Sequence, residues 1–441
     1  MVRSQRSVAP LLIGTFILRT CGGAGTIVLG LFLAHLSTHT GVLVTSIDVG
    51  LLSVVYFATE LALAPLMGAL SDRFGRRRFL IIGPLVGCLE VVLLLFTPLS
   101  HTLYYLLSLQ VLSGIGSAMT TPVVLSYLAE YTADLSSRRI RVMSFFELAT
   151  SGGIAAGVVV GGFAWDALAR VSFLLLGLFY LMAVVCMTLA PKVQQAIDRA
   201  SLKRRAARYW RIIRTPRLFI FIPAWLAASA LVSIWLGTQL TFILSKPAHV
   251  PHQILMGSMS GPGGGHLLSL TLGAYVLFFG LCLLFWAFFL NGIPNLRRML
   301  TSIAGIFVAC IALEGLNHQG PHDSAVRITW LLLLALGIFA ESAFAPAALS
   351  YLADISEDAA KDRGLLMGLY SIFLGLGQLL GNGLGGLFAR QWGFDGLVYL
   401  TALLGLIALI SLLVLFRLEW HRFQPVSKTD EAEDREITPV G

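Results

Sequence analysis

Long apolar segments alternate with short polar ones along almost the whole chain. About twelve of the apolar segments approach the ~20 residues that a helix needs to cross ~30 Å of hydrocarbon. The pattern therefore predicts an all-α membrane protein in which consecutive helices cross the bilayer in opposite directions. The predicted spans are residues 9–35, 49–70, 79–97, 103–129, 142–165, 172–190, 218–244, 267–290, 299–316, 328–353, 364–388 and 397–416.

Composition and charge support a multi-pass protein of the cell membrane. Hydrophobic residues make up 57% of the 441 positions, charged residues only 12%, and the mean hydropathy is +0.83, whereas soluble proteins carry about 25% charged residues. Of the 31 lysines and arginines, 26 fall on one side of the predicted spans. This asymmetry predicts that both termini are cytoplasmic. The net charge of +8 thus reflects topology, and no basic patch has the interleaved aromatic residues of a nucleic-acid surface.

The second half of the chain repeats the first. Residues 122–130 read PVVLSYLAE and residues 346–354 read PAALSYLAD, an offset of 224 at which glycines of the fifth span also meet glycines of the eleventh. The repeat predicts bundles at 1–190 and 218–416, joined by a basic linker at 191–217 and followed by a disordered cytoplasmic tail at 417–441. The linker is either an amphipathic helix on the inner leaflet or a solvated segment.

A charged turn of 13 residues, GALSDRFGRRRFL at 68–80, separates the second and third spans. Its pattern G-x-L-x-D-R-x-G-R-R resembles the signature loop of the major facilitator superfamily of secondary transporters. The resemblance implies twelve transmembrane helices in two pseudo-symmetric six-helix bundles around a central cavity, and a loop that holds the inner face shut; alternatively these charges only enforce topology. The residues of this predicted cytoplasmic gate are Gly68, Asp72, Arg73, Gly75, Arg76 and Arg77.

Two further motifs resemble those of the superfamily imperfectly. Gln110-x-x-x-Gly114-x-Gly116 has glutamine where proton-coupled members carry arginine, so Gln110 is expected to hydrogen-bond a substrate instead. The fifth span resembles an exporter motif in which Val158 replaces proline. Its glycines and their repeats are therefore expected to pack helices closely; they are Gly153, Gly157, Gly161, Gly377, Gly381 and Gly385.

Charged residues at mid-depth are the candidates for substrate or proton binding, because an unpaired charge there costs several kcal/mol. Arg19 and Glu60 lie at similar predicted depth and are expected to form an ion pair, either static or opening when substrate or a proton arrives. Glu341 is interpreted as a counter-charge or proton carrier, or else as a satisfied core residue. Glu90 is expected to make an interhelix hydrogen bond.

Uncharged candidates are fewer. Trp235, Gln239 and Phe344 are expected to line the cavity, with two aromatic rings and one amide that can hydrogen-bond a substrate. Alternatively, these side chains only pack against neighbouring helices. The five cysteines all lie in predicted spans and are expected to be free thiols. Eight of the nine histidines fall in or beside external loops and are interpreted as solvated. No nucleotide-binding loop, nucleophile with a base, or metal-ligand spacing is evident, so neither a cofactor, a metal nor enzymatic activity is predicted.

The sequence thus predicts a monomeric secondary transporter of a small molecule that works by alternating access. The favoured function is proton-coupled export of an amphipathic or drug-like compound. The alternatives are proton-linked uptake of a small anionic metabolite, with Arg19 as counter-ion, and a non-transporting receptor or scaffold on the same fold.

Overall fold

The computed structural model describes residues 8–131, 136–190, 214–247, 250, 252–289, 292–319, 324–357 and 363–423. These residues are almost entirely helical, and no strand occurs among them. The helices are α1 (Ala9–His39), α2 (Ser46–Phe74), α3 (Arg76–Leu94), α4 (Thr102–Tyr131), α5 (Ser136–Leu168), α6 (Ser172–Thr188), α7 (Pro216–Trp235), α8 (Thr238–Ser245), α9 (Gly264–Phe289), α10 (Asn295–His318), α11 (Ser324–Glu341), α12 (Phe344–Glu357) and α13 (Arg363–Phe423).

Local sequence explains where several helices begin, turn or break. Thr45 and Asp48 form a capping box that starts α2. Gly75 joins α2 to α3 with φ 101°, and Gly393 turns α13 back on itself with φ 61°; both angles favour glycine. Pro346 lacks the N–H that would bond the carbonyl of Ser342, which accounts for the break between α11 and α12.

The helices define two ends of the molecule. We call the end where α1 begins at Ala9 and α13 ends at Phe423 the terminus face, and the end where α1 ends at His39 and α2 begins the distal face. The turn at Gly75 lies at the terminus face, and the turn at Gly393 lies at the distal face.

The predicted all-α membrane fold is confirmed, whereas the predicted count of twelve crossings stays a prediction. Within the described residues, nine segments are long and apolar enough to cross a membrane. Two of them, Phe145–Thr188 with 44 residues and Ile372–Leu418 with 47, are about twice as long as one crossing requires. The former contains most of α5 and all of α6, and the latter contains the turn at Gly393. Most of the predicted linker and the tail beyond 423 lie outside the described residues.

Glycines at equivalent repeat positions pack two equivalent helix pairs. A β-carbon on Gly153 would lie 2.5 Å from the carbonyl oxygen of Phe16, and one on Gly161 2.9 Å from that of Ala24, so α5 touches the backbone of α1. In the second half, a β-carbon on Gly377 would lie 2.7 Å from the carbonyl oxygen of Leu226 on α7.

The middle glycine of each set of three also lies against backbone atoms of the neighbouring helix: Gly157 contacts α1, and Gly381 contacts α7. Gly385 departs from the pattern, because its β-carbon would have only ordinary contacts, the nearest at 3.8 Å. Five of the six predicted packing glycines therefore lie where helices approach closely.

Candidate functional site

The first contact between the two halves is a seam between α2 and α13, which is tight at the distal face. A β-carbon on Gly386 would lie 3.1 Å from Cα of Gly50, and one on Gly383 would lie 3.0 Å from Val54. Farther along, a β-carbon on Gly375 would be 3.5 Å from Leu61. At Gly68, near the end of α2, a β-carbon would meet nothing within 4 Å among the described residues.

A second seam, between α5 and α9, follows the same course. The amide of Gly162 donates to Ser269 Oγ at 2.9 Å, and Ser269 Oγ donates to the carbonyl of Val158 at 3.0 Å. A β-carbon on Gly273 would lie 2.8 Å from Val159, whereas one on Gly280 would meet nothing within 4 Å in the described part of the chain. The tight glycine contacts of both seams thus lie near the distal face, and Gly68 and Gly280 have no such contact among the described residues.

Hydrogen bonds between the two halves close the distal face. Asp166 of α5 accepts hydrogen bonds from the amides of Gly265 (3.2 Å) and His266 (2.7 Å), and from the His266 ring. It thus caps the first turn of α9 across the seam, where the helix dipole favours an anion. Lys246, just past α8, donates to the carbonyl of Val44 at 2.9 Å. Burial lowers the pKa of the Lys246 amine, and Asp48 partly opposes this shift.

A polar cluster lies between α1, α2, α4 and α5 of the first half. Ser117 Oγ donates to Glu60 Oε1 at 2.6 Å, and the Tyr56 hydroxyl interacts with both of them. Gly114 makes this possible, since a β-carbon there would lie 2.7 Å from the carbonyl oxygen of Tyr56 and 2.8 Å from Thr59. The close approach of α4 to α2 thus brings the serine to the carboxylate.

Arg19 lies beside this cluster but does not form the expected ion pair with Glu60. Among the described residues, no carboxylate oxygen lies within 4.0 Å of its guanidinium. Its charge acts on Tyr56 and on Glu147 of α5, so Arg19 lies near both side chains without an ion pair to Glu147. Gly153 sets this position, because its β-carbon would lie 2.8 Å from the β-carbon of Arg19.

The signature turn is held by contacts within the first half. Arg76 donates to Asp72 Oδ1 through Nε at 3.1 Å and through Nη2 at 2.8 Å, and Arg77 donates to the carbonyl of Thr188 at the end of α6. Arg73 is exposed beside the Phe74 ring.

Glu341 lies where α11 breaks, close to Tyr275 of α9. Side chains donate hydrogen bonds to the backbone carbonyls at this break. Ser302 Oγ donates to the carbonyl of Glu341 at 2.6 Å, and Trp286 Nε1 donates to that of Phe339 at 2.8 Å. Glu90 is 5% exposed within α3. Its carboxylate accepts no hydrogen bond within the described chain, so the interhelix bond expected there is not seen.

The uncharged candidates do not form one wall. Trp235 Nε1 donates to Thr401 Oγ1 at 3.1 Å, and its ring packs edge-on against Phe394, inside the second half. Gln239 on α8 is 1% exposed, and neither of its amide atoms has a hydrogen-bond partner among the described residues. Gln110 is 7% exposed on α4.

Four residues of these clusters were not among the sequence candidates. Tyr56 and Ser117 are neutral, so a pattern of buried charges does not single them out, although Tyr56 precedes Glu60 by one helical turn. Glu147 is five residues from the start of the predicted span 142–165, but α5 begins at Ser136, so it lies eleven residues into the helix. Asp166 follows the apolar run of α5, and only the contact with α9 shows its role.

Comparison with known proteins identifies relatives among transporters. The family model described as Major Facilitator Superfamily matches residues 13–265 and 263–439. The class D tetracycline resistance protein of Salmonella ordonez is 27% identical over 380 residues, covering 83% of this chain and 86% of that protein.

Two other relatives match more locally. The class B tetracycline resistance protein of Escherichia coli is 32% identical over 142 residues, covering 31% of this chain and 34% of that protein. The multidrug efflux pump LfrA of Mycolicibacterium smegmatis is 35% identical over 118 residues, or 26% of this chain and 23% of the pump.

Solved structures share the fold at low sequence identity. The nucleoside transporter NupG, as its D323A mutant, superposes with a TM-score of 0.71 at 14% identity, over 93% of this chain and 98% of NupG. A POT family transporter gives a TM-score of 0.66, also at 14% identity, over 93% and 95%.

Proposed function

The chain belongs to the major facilitator superfamily and is a multi-pass membrane transporter; from this premise we propose that it exports an amphipathic, drug-like compound in exchange for protons. Alternating access is the proposed mechanism: the substrate enters from the terminus face, and the halves then tilt to open the distal face. The observation that carries this proposal is the course of the two seams, which are tight at Gly386 and Gly162, whereas no described atom would lie within 4 Å of a β-carbon on Gly68 or Gly280.

The proposed direction requires that the terminus face is cytoplasmic. The exposed side chains of Arg73, Arg77 and Arg78 at this face agree with the positive-inside rule. A conformation open to the cytoplasm would accept substrate from the cell interior. Efflux is further supported by the relatives named above, of which the class D tetracycline resistance protein matches over most of its length.

Glu60 is the proposed proton carrier. It accepts a hydrogen bond from Ser117, interacts with the Tyr56 hydroxyl and forms no ion pair among the described residues, so a proton can bind without first breaking a salt bridge. We propose that Arg19 regulates proton release from Glu60. A tilt of α1 towards α2 would bring the positive charge of Arg19 closer to the Glu60 carboxylate and favour its ionised form. Glu341 at the helix break is the second proposed polar group of the pathway, since broken membrane helices are common binding elements.

A cell-based transport assay tests the function. The protein would be expressed in bacteria that lack their own drug pumps, and the accumulation of tetracycline and of ethidium would be followed with and without a protonophore. We expect cells that express the protein to accumulate less of at least one compound than empty cells do. The protonophore should abolish this difference, and cells that express Glu60→Gln should accumulate as much as empty cells. Equal accumulation in expressing and empty cells for a broad panel of amphipathic compounds would contradict export.

One observation favours a second function. Arg19 has no carboxylate within 4.0 Å in the described part of the molecule, as expected of a counter-ion for an anionic substrate. Proton-linked uptake of a small anionic metabolite would then show as anion accumulation in energised cells, lost in Arg19→Gln. Purified protein screened by thermal shift at two pH values separates the two, because the stabilising ligand is an anion in one case and an amphipathic compound in the other.

A further inference from the structure

Three side chains of metal-ligating type converge at the distal face of the second half. Glu314 and His318 lie one turn apart on the last part of α10, and Asp395 follows the Gly393 turn of α13. One ligand atom from each lies within 4.8 Å of the other two. The φ of 61° at Gly393 reverses α13 sharply, which is what brings Asp395 against the end of α10.

The distances between these atoms suit a tetrahedral ion. Metal bonds of 2.0–2.1 Å imply ligand-to-ligand edges of about 3.3 Å. His318 Nε2 lies 3.0 Å from Asp395 Oδ2 and 3.5 Å from Glu314 Oε1. Two of the three edges are therefore already close to the length that a bound ion requires.

The surrounding residues hold the Asp395 carboxylate in place. Asn317 Nδ2 donates to Asp395 Oδ1 at 2.6 Å, and Gln253 Nε2 donates to Oδ2 at 2.7 Å. Asn317 is itself fixed, because its Oδ1 accepts from the amide of Leu255 at 2.9 Å. Both donors are buried. Such outer hydrogen bonds orient the ligands in protein metal sites.

Glu314 is less completely bonded than Asp395. Its Oε1 accepts from the Tyr399 hydroxyl at 3.3 Å, whereas its Oε2 is buried and has no hydrogen-bond partner among the described residues. A buried carboxylate oxygen without a donor costs free energy, and a cation next to it would remove that cost.

We propose that Glu314, His318 and Asp395 bind a divalent transition-metal ion, with Zn²⁺ the best fit and the fourth position left to water. An imidazole with two carboxylates suits Zn²⁺, whereas Mg²⁺ and Ca²⁺ prefer ligand sets made of oxygen alone. The two carboxylates balance the charge of the ion. The ion would brace the end of α10 against the returning part of α13. The site is independent of the proposed transport function.

The competing arrangement has no metal. In that case a protonated His318 pairs with both acids, and the contacts at 3.0 and 3.5 Å are ion pairs. The two arrangements differ in what His318→Gln and Glu314→Gln do to metal affinity, and neither variant removes a hydrogen bond that holds Asn317 or Gln253. Both side chains are more than a third exposed, so the variants should fold.

The test measures Zn²⁺ binding by the full chain, purified in detergent with a tag that contains no histidine. Zinc content after desalting and the midpoint of thermal unfolding at increasing ZnCl₂ would be recorded, with MgCl₂ as the comparison. His101→Gln is the matched control, because His101 is an exposed histidine at the same face in the turn before α4.

We expect one Zn²⁺ per chain and a higher unfolding midpoint for the natural protein and for His101→Gln. Affinity should fall at least tenfold in His318→Gln and in Glu314→Gln, and MgCl₂ should have no comparable effect. The proposal is overturned if the natural protein shows no saturable binding of one Zn²⁺, or if His318→Gln and Glu314→Gln bind it as tightly as the control.

Discussion

Gly386 of α13 lies directly against Gly50 of α2, so that a β-carbon on either would approach Cα of the other to 3.1 Å. The same β-carbon on Gly386 would lie 2.7 Å from the carbonyl oxygen of Ser46. Backbone atoms cannot move aside as a flexible side chain can, so this contact requires glycine on both helices. The contact closes the distal face, and it sets what substitutions there should do.

Replacing Gly386 with leucine should prevent the distal face from closing. The leucine side chain would overlap the backbone of α2, so the protein is expected to favour the distal-open conformation and to lose at least nine-tenths of its transport. Gly385→Ala is the control, because a β-carbon at that neighbouring position has only ordinary contacts at 3.8 Å. Spin-label distances across the distal face would measure the opening. Equal distances in both variants would show that the contact does not govern closure.

The register of α2 and α13 predicts a further pair of facing glycines near the terminus face. Gly50 meets Gly386, Val54 meets Gly383 and Leu61 meets Gly375; continued along both helices, the same register sets Gly68 opposite Gly368. We expect cysteines at these two positions, in a background without the five native cysteines, to cross-link and to stop transport until reduced. The single variant Gly68→Cys should remain active. Failure to cross-link during turnover would exclude closure of this seam at the terminus face.

The sequence predicted the helices and their repeat well, but it predicted less well which side chains contact each other. The glycines at 153, 157, 161, 377 and 381 were predicted to pack helices, because small residues at four-residue spacing permit close approach. The Arg19–Glu60 pair was expected from similar depth, but depth does not fix which face of a helix a residue occupies. Ser117 reaches Glu60 instead. Trp235 was expected near the cavity, and its ring lies against Phe394, which sequence spacing cannot reveal.

The hydrogen bond from Ser117 to Glu60 predicts a graded pair of transport defects. Glu60→Gln removes the group that binds the proton, so transport driven by a pH gradient should fall to background while substrate exchange at equal pH persists. Ser117→Ala removes only the donor at 2.6 Å, so coupled transport should persist with a shifted pH profile. Both would be measured in proteoliposomes. A Glu60→Gln variant that keeps full transport driven by the pH gradient would transfer the proton-binding role to another residue.

The ion pair between Asp72 and Arg76 predicts a difference in stability between two substitutions of the same turn. The Arg76 side chain is 10% exposed and that of Asp72 24% exposed, so Asp72→Asn leaves a largely buried guanidinium with weaker acceptors. We expect a loss of about 1.5–3 kcal/mol in the free energy of unfolding, as for hydrogen bonds to charged groups. Arg73→Gln is the control, because Arg73 is exposed. Equal stability of the two variants, measured by unfolding in a denaturing detergent, would mean that the pair adds nothing.

Asp166 provides the last prediction, because it bonds α5 to the first turn of α9 across the second seam. Its carboxylate accepts from two amides and from the His266 ring, and these bonds would break in the proposed opening of the distal face. Asp166→Asn keeps the size of the side chain but removes the charge, so the distal-closed conformation should be populated less. His266→Gln removes one of the three bonds and should have a smaller effect.

The measurement is the rate at which a cysteine on the distal part of α9 reacts with a membrane-impermeant maleimide in whole cells. The rate should rise most in Asp166→Asn, less in His266→Gln, and not at all in His101→Gln, which changes an exposed histidine away from the seam. An unchanged rate in Asp166→Asn would show that the glycine contacts alone hold this face shut. A larger effect in His266→Gln would assign the closure to the imidazole rather than to the capped helix.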